Sequence, residues 1–209
     1  MDKPKKSALR ENVEAIVIAI ILALFIRTFI VQAFKIPSGS MKTTLLVGDH
    51  ILVNKFIYGV KLPFLGTTII PVKDPKRGDI VVFQFPEDPS KDFIKRVIGV
   101  SGDVIEMRDK QLYVNQQKAE ENFSIYTDTK ILPKEIQPRD NFGPITVPKD
   151  SLFVMGDNRD HSYDSRFWGF VNLSALRGEA FVIYWSWNSD NNDSIINYVR
   201  WNRLGKLIK

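Results

Sequence analysis

From Ala15 to Ile26 every residue is apolar, and after Arg27 and Thr28 the apolar character resumes through Phe29 and Val31 to Ala33 and Phe34. A helix that is apolar all round belongs in an apolar medium. Taken to Phe34, the run matches the ~20 residues that cross a hydrocarbon core, which predicts one membrane-spanning helix over 13–34. After Gly48 the pattern shifts to short runs rich in β-branched and aromatic residues: His50–Val53, Asp79–Phe85, Phe93–Val100, Asp103–Met107, Gln111–Val114, Ser151–Met155 and Glu179–Trp187. Turn signals separate them, among them Lys76-Arg77-Gly78-Asp79, Ser101-Gly102-Asp103 and Gly156-Asp157-Asn158. The remainder is therefore predicted to be mainly β and antiparallel, without a long amphipathic helix and without a fixed repeat.

The polar, proline-containing stretch from Asn115 to Pro148 has weaker strand signals and reads as an insertion. The chain then divides into a basic N-terminus (1–12), an anchor (13–34), a β domain formed by 35–104 and 149–209, and an inserted small lobe (105–148). Asn188 to Asp193 reads as an exposed loop, without the glycine and acidic spacing of a calcium loop.

With 209 residues and 44% hydrophobic content the chain can build a real core. The net charge of +5 does not single out nucleic acid, because the basic residues are dispersed except for Lys3, Lys5, Lys6 and Arg10 ahead of the apolar run. Under the positive-inside rule that cluster puts the N-terminus in the cytoplasm and everything after Phe34 across the membrane. There are no cysteines and only two, distant histidines, His50 and His161. Neither a disulfide nor a zinc site is expected.

Two other readings of the apolar run compete. A buried core helix would need a mostly strand-like remainder to wrap a uniformly apolar cylinder. A cleaved secretory signal would use Val31-Gln32-Ala33, with small residues placed for cleavage after Ala33, although Arg27 interrupts the stretch before that point.

The candidate chemistry starts at Ile36-Pro37-Ser38-Gly39-Ser40-Met41, directly after the anchor. A serine becomes a nucleophile only with a base to take its proton and donors for the oxyanion. His161, beside Asp160 and Asp164, suggests a triad, but sequence neighbours in extended chain point to opposite faces. Lys95 is the other candidate base. Strand alternation sets Phe93, Lys95 and Val97 on one face and Ile94, Arg96 and Ile98 on the other, so the lysine shares apolar surroundings that favour its neutral form. The loop from Met155 to Arg166 carries charges of both signs that can interlock, for instance Asp164 with Arg166, and Ser162 could orient a lysine amine.

Taken together, Pro37-Ser38-Gly39-Ser40-Met41, Arg77-Gly78-Asp79-Ile80-Val81-Val82-Phe83, Lys95-Arg96-Val97-Ile98-Gly99 with Gly102-Asp103, and Gly156-Asp157-Asn158-Arg159-Asp160 through Asp164-Ser165-Arg166 resemble the bacterial type I signal peptidases. The resemblance extends to Val199-Arg200-Trp201-Asn202-Arg203-Leu204-Gly205 near the C-terminus. It implies an antiparallel β catalytic domain on the exported side of a bacterial cytoplasmic membrane, cleaving signal peptides from exported preproteins without metal or organic cofactor. It further implies Ser40 as nucleophile, Lys95 as general base, and Ser38 with the Ser40 N–H as oxyanion donors. Ser162 corresponds to the residue that orients the lysine, and Asp157 with Arg96 and Asp164 with Arg166 to supporting ion pairs. Phe34, Ile36, Met41, Leu45, Val82, Phe93 and Ile94 fall where the family lines its pockets for small residues. Thr43 stands where the family usually has proline. Trp185, Trp187 and Trp201 suit a lipid interface. The chain contains neither Ser-x-x-Lys nor Gly-x-Ser-x-Gly, which disfavours β-lactamase-type and α/β-hydrolase chemistry. The rival from another class is a membrane-tethered β module that binds without cutting.

Overall fold

The computed structural model describes residues 8–61, 68–70, 72–188 and 198–208. Lys3, Lys5 and Lys6 of the basic cluster and residues 189–193 of the polar loop lie outside them. Helix α1 (Ala8–Phe25) continues as a wider turn over Ile26–Ile30. Its 22-residue stretch Leu9–Ile30 has a mean hydropathy of 2.5 and an unburied apolar window, and it is tied to the sheet at its end, where Lys55 donates to Thr28 O at 2.7 Å and to Ile30 O at 2.9 Å. That exposure disposes of the core-helix reading, since a core helix must be covered.

The helix stops at Ile30. Val31–Phe34, which apolar continuity assigns to the span, belong instead to strand β1 (Val31–Lys35), paired with β2 (Asp49–Asn54) from Val31↔Asn54 to Lys35↔His50. Gln32 and Lys35 break the apolar continuity, and the backbone groups find partners across the ladder rather than along a helix. Anchor and sheet are therefore joined without a linker. Cleavage after Ala33 would sever a paired strand, because Ala33 lies opposite Leu52.

Twelve further strands follow: β3 (Val60–Lys61), β4 (Thr68–Ile70), β5 (Ile80–Phe85), β6 (Asp88–Gly99), β7 (Val104–Arg108), β8 (Gln111–Val114), β9 (Gln117–Lys118), β10 (Phe142–Thr146), β11 (Ser151–Met155), β12 (Val171–Asn172), β13 (Leu176–Ser186) and β14 (Lys206–Leu207). One four-residue helix, α2 (Ser165–Trp168), precedes β12. The main sheet runs β1-β2-β13-β5-β6-β11-β12, with β14 on β13; β10-β7-β8-β9 form a second sheet and β3-β4 a hairpin. The pairs are antiparallel throughout. The second sheet spans 104–146, the stretch read from sequence as the inserted lobe.

Three apolar clusters form the core. β5 lies between two of them, sending Ile80 and Val82 into one with Ile36, Met41, Leu45 and Ile51, and Val81 and Phe83 into another with Val97, Leu152 and Val154. The third, around Ile105, Met107, Leu112 and Phe153, joins the second sheet to the first. Phe34 of the edge strand and Ile94 of β6 both pack on the first cluster although four strand pairings separate β1 from β6. The twisted sheet therefore curls until its first strand faces β6.

β6 is longer than its neighbours. It pairs with β5 along most of its length, but with β11 only at Arg96, Val97 and Gly99. Val97 exchanges bonds with Asp79 and Gly78, both 2.8 Å, on the β5 side. Alternate residues face the same way, so Lys95 and Phe93 also turn their backbone towards β5, while Ile94 and Asp92 turn theirs to an edge that no strand among the described residues covers.

Candidate active site

The β1–β2 ladder is prolonged past Lys35 by Ile36, whose N–H donates to Asp49 O at 2.8 Å and whose carbonyl accepts from Gly48 N–H at 3.0 Å. Pro37 to Met41 then leave the sheet in a tight turn closed by Lys42 N–H to Gly39 O (3.2 Å) and Leu45 N–H to Met41 O (2.8 Å). Buried Met41 and Leu45 plug the far side of this turn into the first core cluster. Ser40 is thereby fixed at the surface of the core, itself only 9% exposed.

Across from it, Lys95 Nζ lies 2.8 Å from Ser40 Oγ and donates to Ile94 O at 3.1 Å. The amine is 4% exposed and sits 5.5 Å from the centre of the Phe93 ring. Among the described residues no carboxylate comes within ion-pairing distance of it. Burial pulls its pKa down to about 8, with Asp164 opposing, Arg166 pushing the same way as burial and Asp157 opposing more weakly. At neutral pH about a tenth of this lysine is uncharged, whereas an ordinary lysine is uncharged in fewer than one molecule in a thousand.

The loop after β11 holds this pair in place. Asn158 N–H donates to Ser40 O at 3.0 Å and its side-chain amide to Gly39 O at 3.1 Å. A Cβ on Gly156 would fall 2.5 Å from Ser40 O and 2.3 Å from Ser162 Oγ, so only glycine lets the loop approach the serine this closely. Two buried, bidentate ion pairs brace the loop. Arg96 donates to Asp157 at 2.8 and 2.7 Å, and Arg166 to Asp164 at 2.8 and 2.9 Å. Asp164 also accepts from Gly156 N–H at 3.0 Å and caps α2. Burial pushes the Asp164 carboxyl up, but Arg166 and the bonds it receives hold it below the usual carboxylate range.

Of the remaining candidates, Ser38 is exposed two residues before Ser40. The Ser162 hydroxyl is buried beside Gly156 and does not bond the lysine amine in this conformation. Phe34, Ile36, Met41, Leu45, Val82 and Ile94 share one cluster, with Phe34 and Ile94 half-buried at its rim, while Phe93 stacks on Phe85 in the neighbouring one. His161 is exposed, and Asp164 is committed to Arg166, which leaves the histidine triad without parts. Asn158, Gly156 and Thr44, whose hydroxyl donates to Asp157 at 2.5 Å, are contributors that the sequence reading gave no role. Asn158 and Gly156 belong to the Gly156-Asp157-Asn158 turn signal, and only tertiary contact separates them from ordinary turn residues.

A buried serine in contact with a buried lysine, which no described carboxylate pairs, brings together a hydroxyl and a base of the kind serine peptidase chemistry needs. Residues 9–185 match the family described as "Signal peptidase, peptidase S26". Signal peptidase I of Pseudomonas aeruginosa is 38% identical over 86% of this chain and 73% of its own length, and that of Aquifex aeolicus 34% over 85% of each. A probable signal peptidase I-2 from Synechocystis is 37% identical over 88% of this chain and 77% of that one. The chain belongs to the signal peptidase family, peptidase S26.

Proposed function

We propose that this chain is a membrane-anchored serine endopeptidase that removes N-terminal signal peptides from exported preproteins, with Ser40 as nucleophile and Lys95 as general base. The observation that carries the reading is the 2.8 Å contact between Ser40 Oγ and a buried Lys95 Nζ that no carboxylate among the described residues neutralises. In its neutral form the amine takes the proton from Oγ as the oxygen attacks the scissile carbonyl carbon. The Ser40 N–H and the Ser38 hydroxyl receive the developing oxyanion. The ammonium then returns the proton to the leaving amine, and the same lysine activates the water that hydrolyses the acyl-enzyme. Ser162 completes the lysine's hydrogen bonding when the site is engaged.

The substrate binds as an added strand between the outer edge of β1 near Ile36 and the uncovered edge of β6 at Asp92 and Ile94. Small side chains of the Ala-x-Ala type fit against Phe34, Ile36, Met41, Leu45, Val82, Phe93 and Ile94. The basic N-terminus favours a cytoplasmic start and a catalytic domain on the exported side of a bacterial cytoplasmic membrane. Direct connection of α1 to β1 supports a serine held at the bilayer surface, where the apolar stretch of a signal peptide also ends. The partners are thus preproteins and the lipid bilayer, with no role for nucleic acid. A non-catalytic binding module is disfavoured, since binding alone gives no reason to bury a lysine on a serine.

The test is to incubate the detergent-solubilised chain with a preprotein and weigh the products. A single cut after a small residue is expected. An intact preprotein, or cuts scattered through the mature region, would overturn the proposal. Protease accessibility in sealed inner-membrane vesicles reads the orientation, with the β domain expected inside inverted vesicles.

A further inference from the structure

The segment that returns from Ser40 to β2 is held by a further buried arginine that none of the roles above uses. Asp49, fully buried at the start of β2, accepts from Arg203 Nε at 3.0 Å and Nη2 at 2.5 Å, from Ser186 Oγ at 2.7 Å and from Leu46 N–H at 2.8 Å. Arg203 Nη2 also donates to Thr44 O at 2.9 Å, and Arg200 Nη1 to Val47 O at 3.0 Å. A single turn near the C-terminus, Trp201–Arg203 with Arg200 before it, thus grips the carbonyls of the 44–47 segment.

Thr44 is where this grip meets the active site. Its carbonyl is held by Arg203, while its hydroxyl donates to Asp157 Oδ2 at 2.5 Å and lies 3.3 Å from Arg96 Nη2. Next to it, Leu45 N–H closes the nucleophile turn on Met41 O, and next to Asp157, Asn158 N–H holds Ser40 O. Ser40 is therefore approached from both sides by groups that converge on one threonine.

We infer that Thr44 and Arg203 are positioning residues, which set the Ser40 hydroxyl against the Lys95 amine by tying the C-terminal turn to the Arg96–Asp157 pair. The inference rests on the reading of Ser40 and Lys95 as the reacting pair. A nucleophile has to be kept within about 0.5 Å of its productive position, and the turn around Ser40 lies outside the ladders of the sheet. Its placement depends on these side-chain ties. Neither residue touches the substrate path, so their effect should fall on turnover rather than binding.

The experiment uses the full chain in detergent, with kcat and KM measured on a preprotein well below the unfolding temperature. Thr44→Val removes the hydroxyl but keeps the shape, and leaves Asp157 with both its Arg96 bonds. It is expected to lower kcat roughly ten- to a hundred-fold, with KM changed less than about two-fold and the unfolding midpoint moved by no more than a few degrees. Thr44→Ser should bring kcat back to within about three-fold of wild type. Arg203→Lys should lower kcat in the same way, and the double variant Thr44→Val with Arg203→Lys should be little worse than the poorer single one, because both act through one turn. Wild-type kcat in Thr44→Val, no restoration by serine, or fully multiplicative losses would overturn the inference. Should Arg203→Lys not fold, the Thr44 pair decides the question alone. Ser40→Ala and Lys95→Ala run alongside: if they still cleave, the dyad has failed and the inference with it. If they are dead while Thr44→Val turns over normally, only the positioning claim has failed.

Discussion

The two faces of β6 carry adjacent buried cations with opposite fates. On one face Lys95 lies with Phe93 and Val97, in contact with a hydroxyl and a carbonyl but with no carboxylate. On the other, Arg96 is 2% exposed, forks onto Asp157, donates to Gly78 O at 2.9 Å and covers the Phe123 ring at 4.0 Å. A guanidinium stays charged, so burying it requires a full set of acceptors; an ammonium can shed its proton when acceptors are withheld. The sheet supplies acceptors to the residue that has to hold the loop. It withholds them from the lysine that contacts Ser40. What separates structural from chemical use of a buried charge here is the environment each face provides, one residue apart.

Breaking the chemical face should have the largest effect. Ser40→Ala and Lys95→Ala are each expected to reduce preprotein cleavage roughly 10³-fold or more, and Lys95→Arg should be as inactive as Lys95→Ala because arginine cannot give up its charge. Cleavage remaining near wild type in Lys95→Arg would end the general-base assignment. In the wild type, the rate should rise about ten-fold per pH unit below the lysine's depressed pKa of about 8 and level off above it. A profile flat from pH 5 to 10 would contradict a titrating base.

The structural face should answer through stability instead. Asp157→Ala strands a buried guanidinium and is expected to destabilise the domain by about 3–5 kcal/mol in denaturant unfolding. Replacing both partners, Arg96→Met with Asp157→Leu, should recover most of that loss. Lys95→Met should do the reverse of Asp157→Ala, giving a protein that is inactive but more stable. An amine whose pKa drops from 10.5 unfolded to about 8 folded binds fewer protons when folded. It destabilises the fold by roughly 3 kcal/mol below pH 8, and that penalty fades as pH rises to 10.5. The advantage of Lys95→Met should therefore be largest at neutral pH and shrink above pH 8; an advantage independent of pH would mean that packing alone produced it.

The sequence made these faces legible because alternation is a local property. Phe93, Lys95 and Val97 line up on one side by period alone, and the seven strand-like runs all became strands. What stayed hidden was whatever local pattern cannot distinguish. Val31–Phe34 are apolar enough for a span, and only their pairing with β2 makes them a strand. β10 is hidden in the polar, proline-containing stretch from Asn115 to Pro148, and Gly143 and Pro144 lie where its register with β7 shifts between Phe142 and Ile145. The four-residue α2 is too short to show a period. In the site, Ser40, Lys95 and the two ion pairs came from motifs, while Thr44, Asn158 and Arg203 gain their roles from contacts more than a hundred residues apart in the chain.

Gly156 sharpens the comparison at its smallest scale, since it lies where the loop braced by the Arg96 face meets the serine served by the Lys95 face. Gly156→Ala puts a methyl group against Ser40 O, which belongs to the tightly held turn around Ser40, and against both Oγ and Cβ of Ser162, of which only Oγ can rotate away. The contacts with Ser40 O and Ser162 Cβ decide the outcome, because they are relieved only by moving the backbone around the turn and the loop. A stability loss of about 1–3 kcal/mol is expected. With it should come a fall in kcat larger than the stability loss alone explains, measured at a temperature where the variant is fully folded. If the folded variant turned over like wild type, the loop and the serine would be positioned independently, and the two faces of β6 would not share the work of building this site.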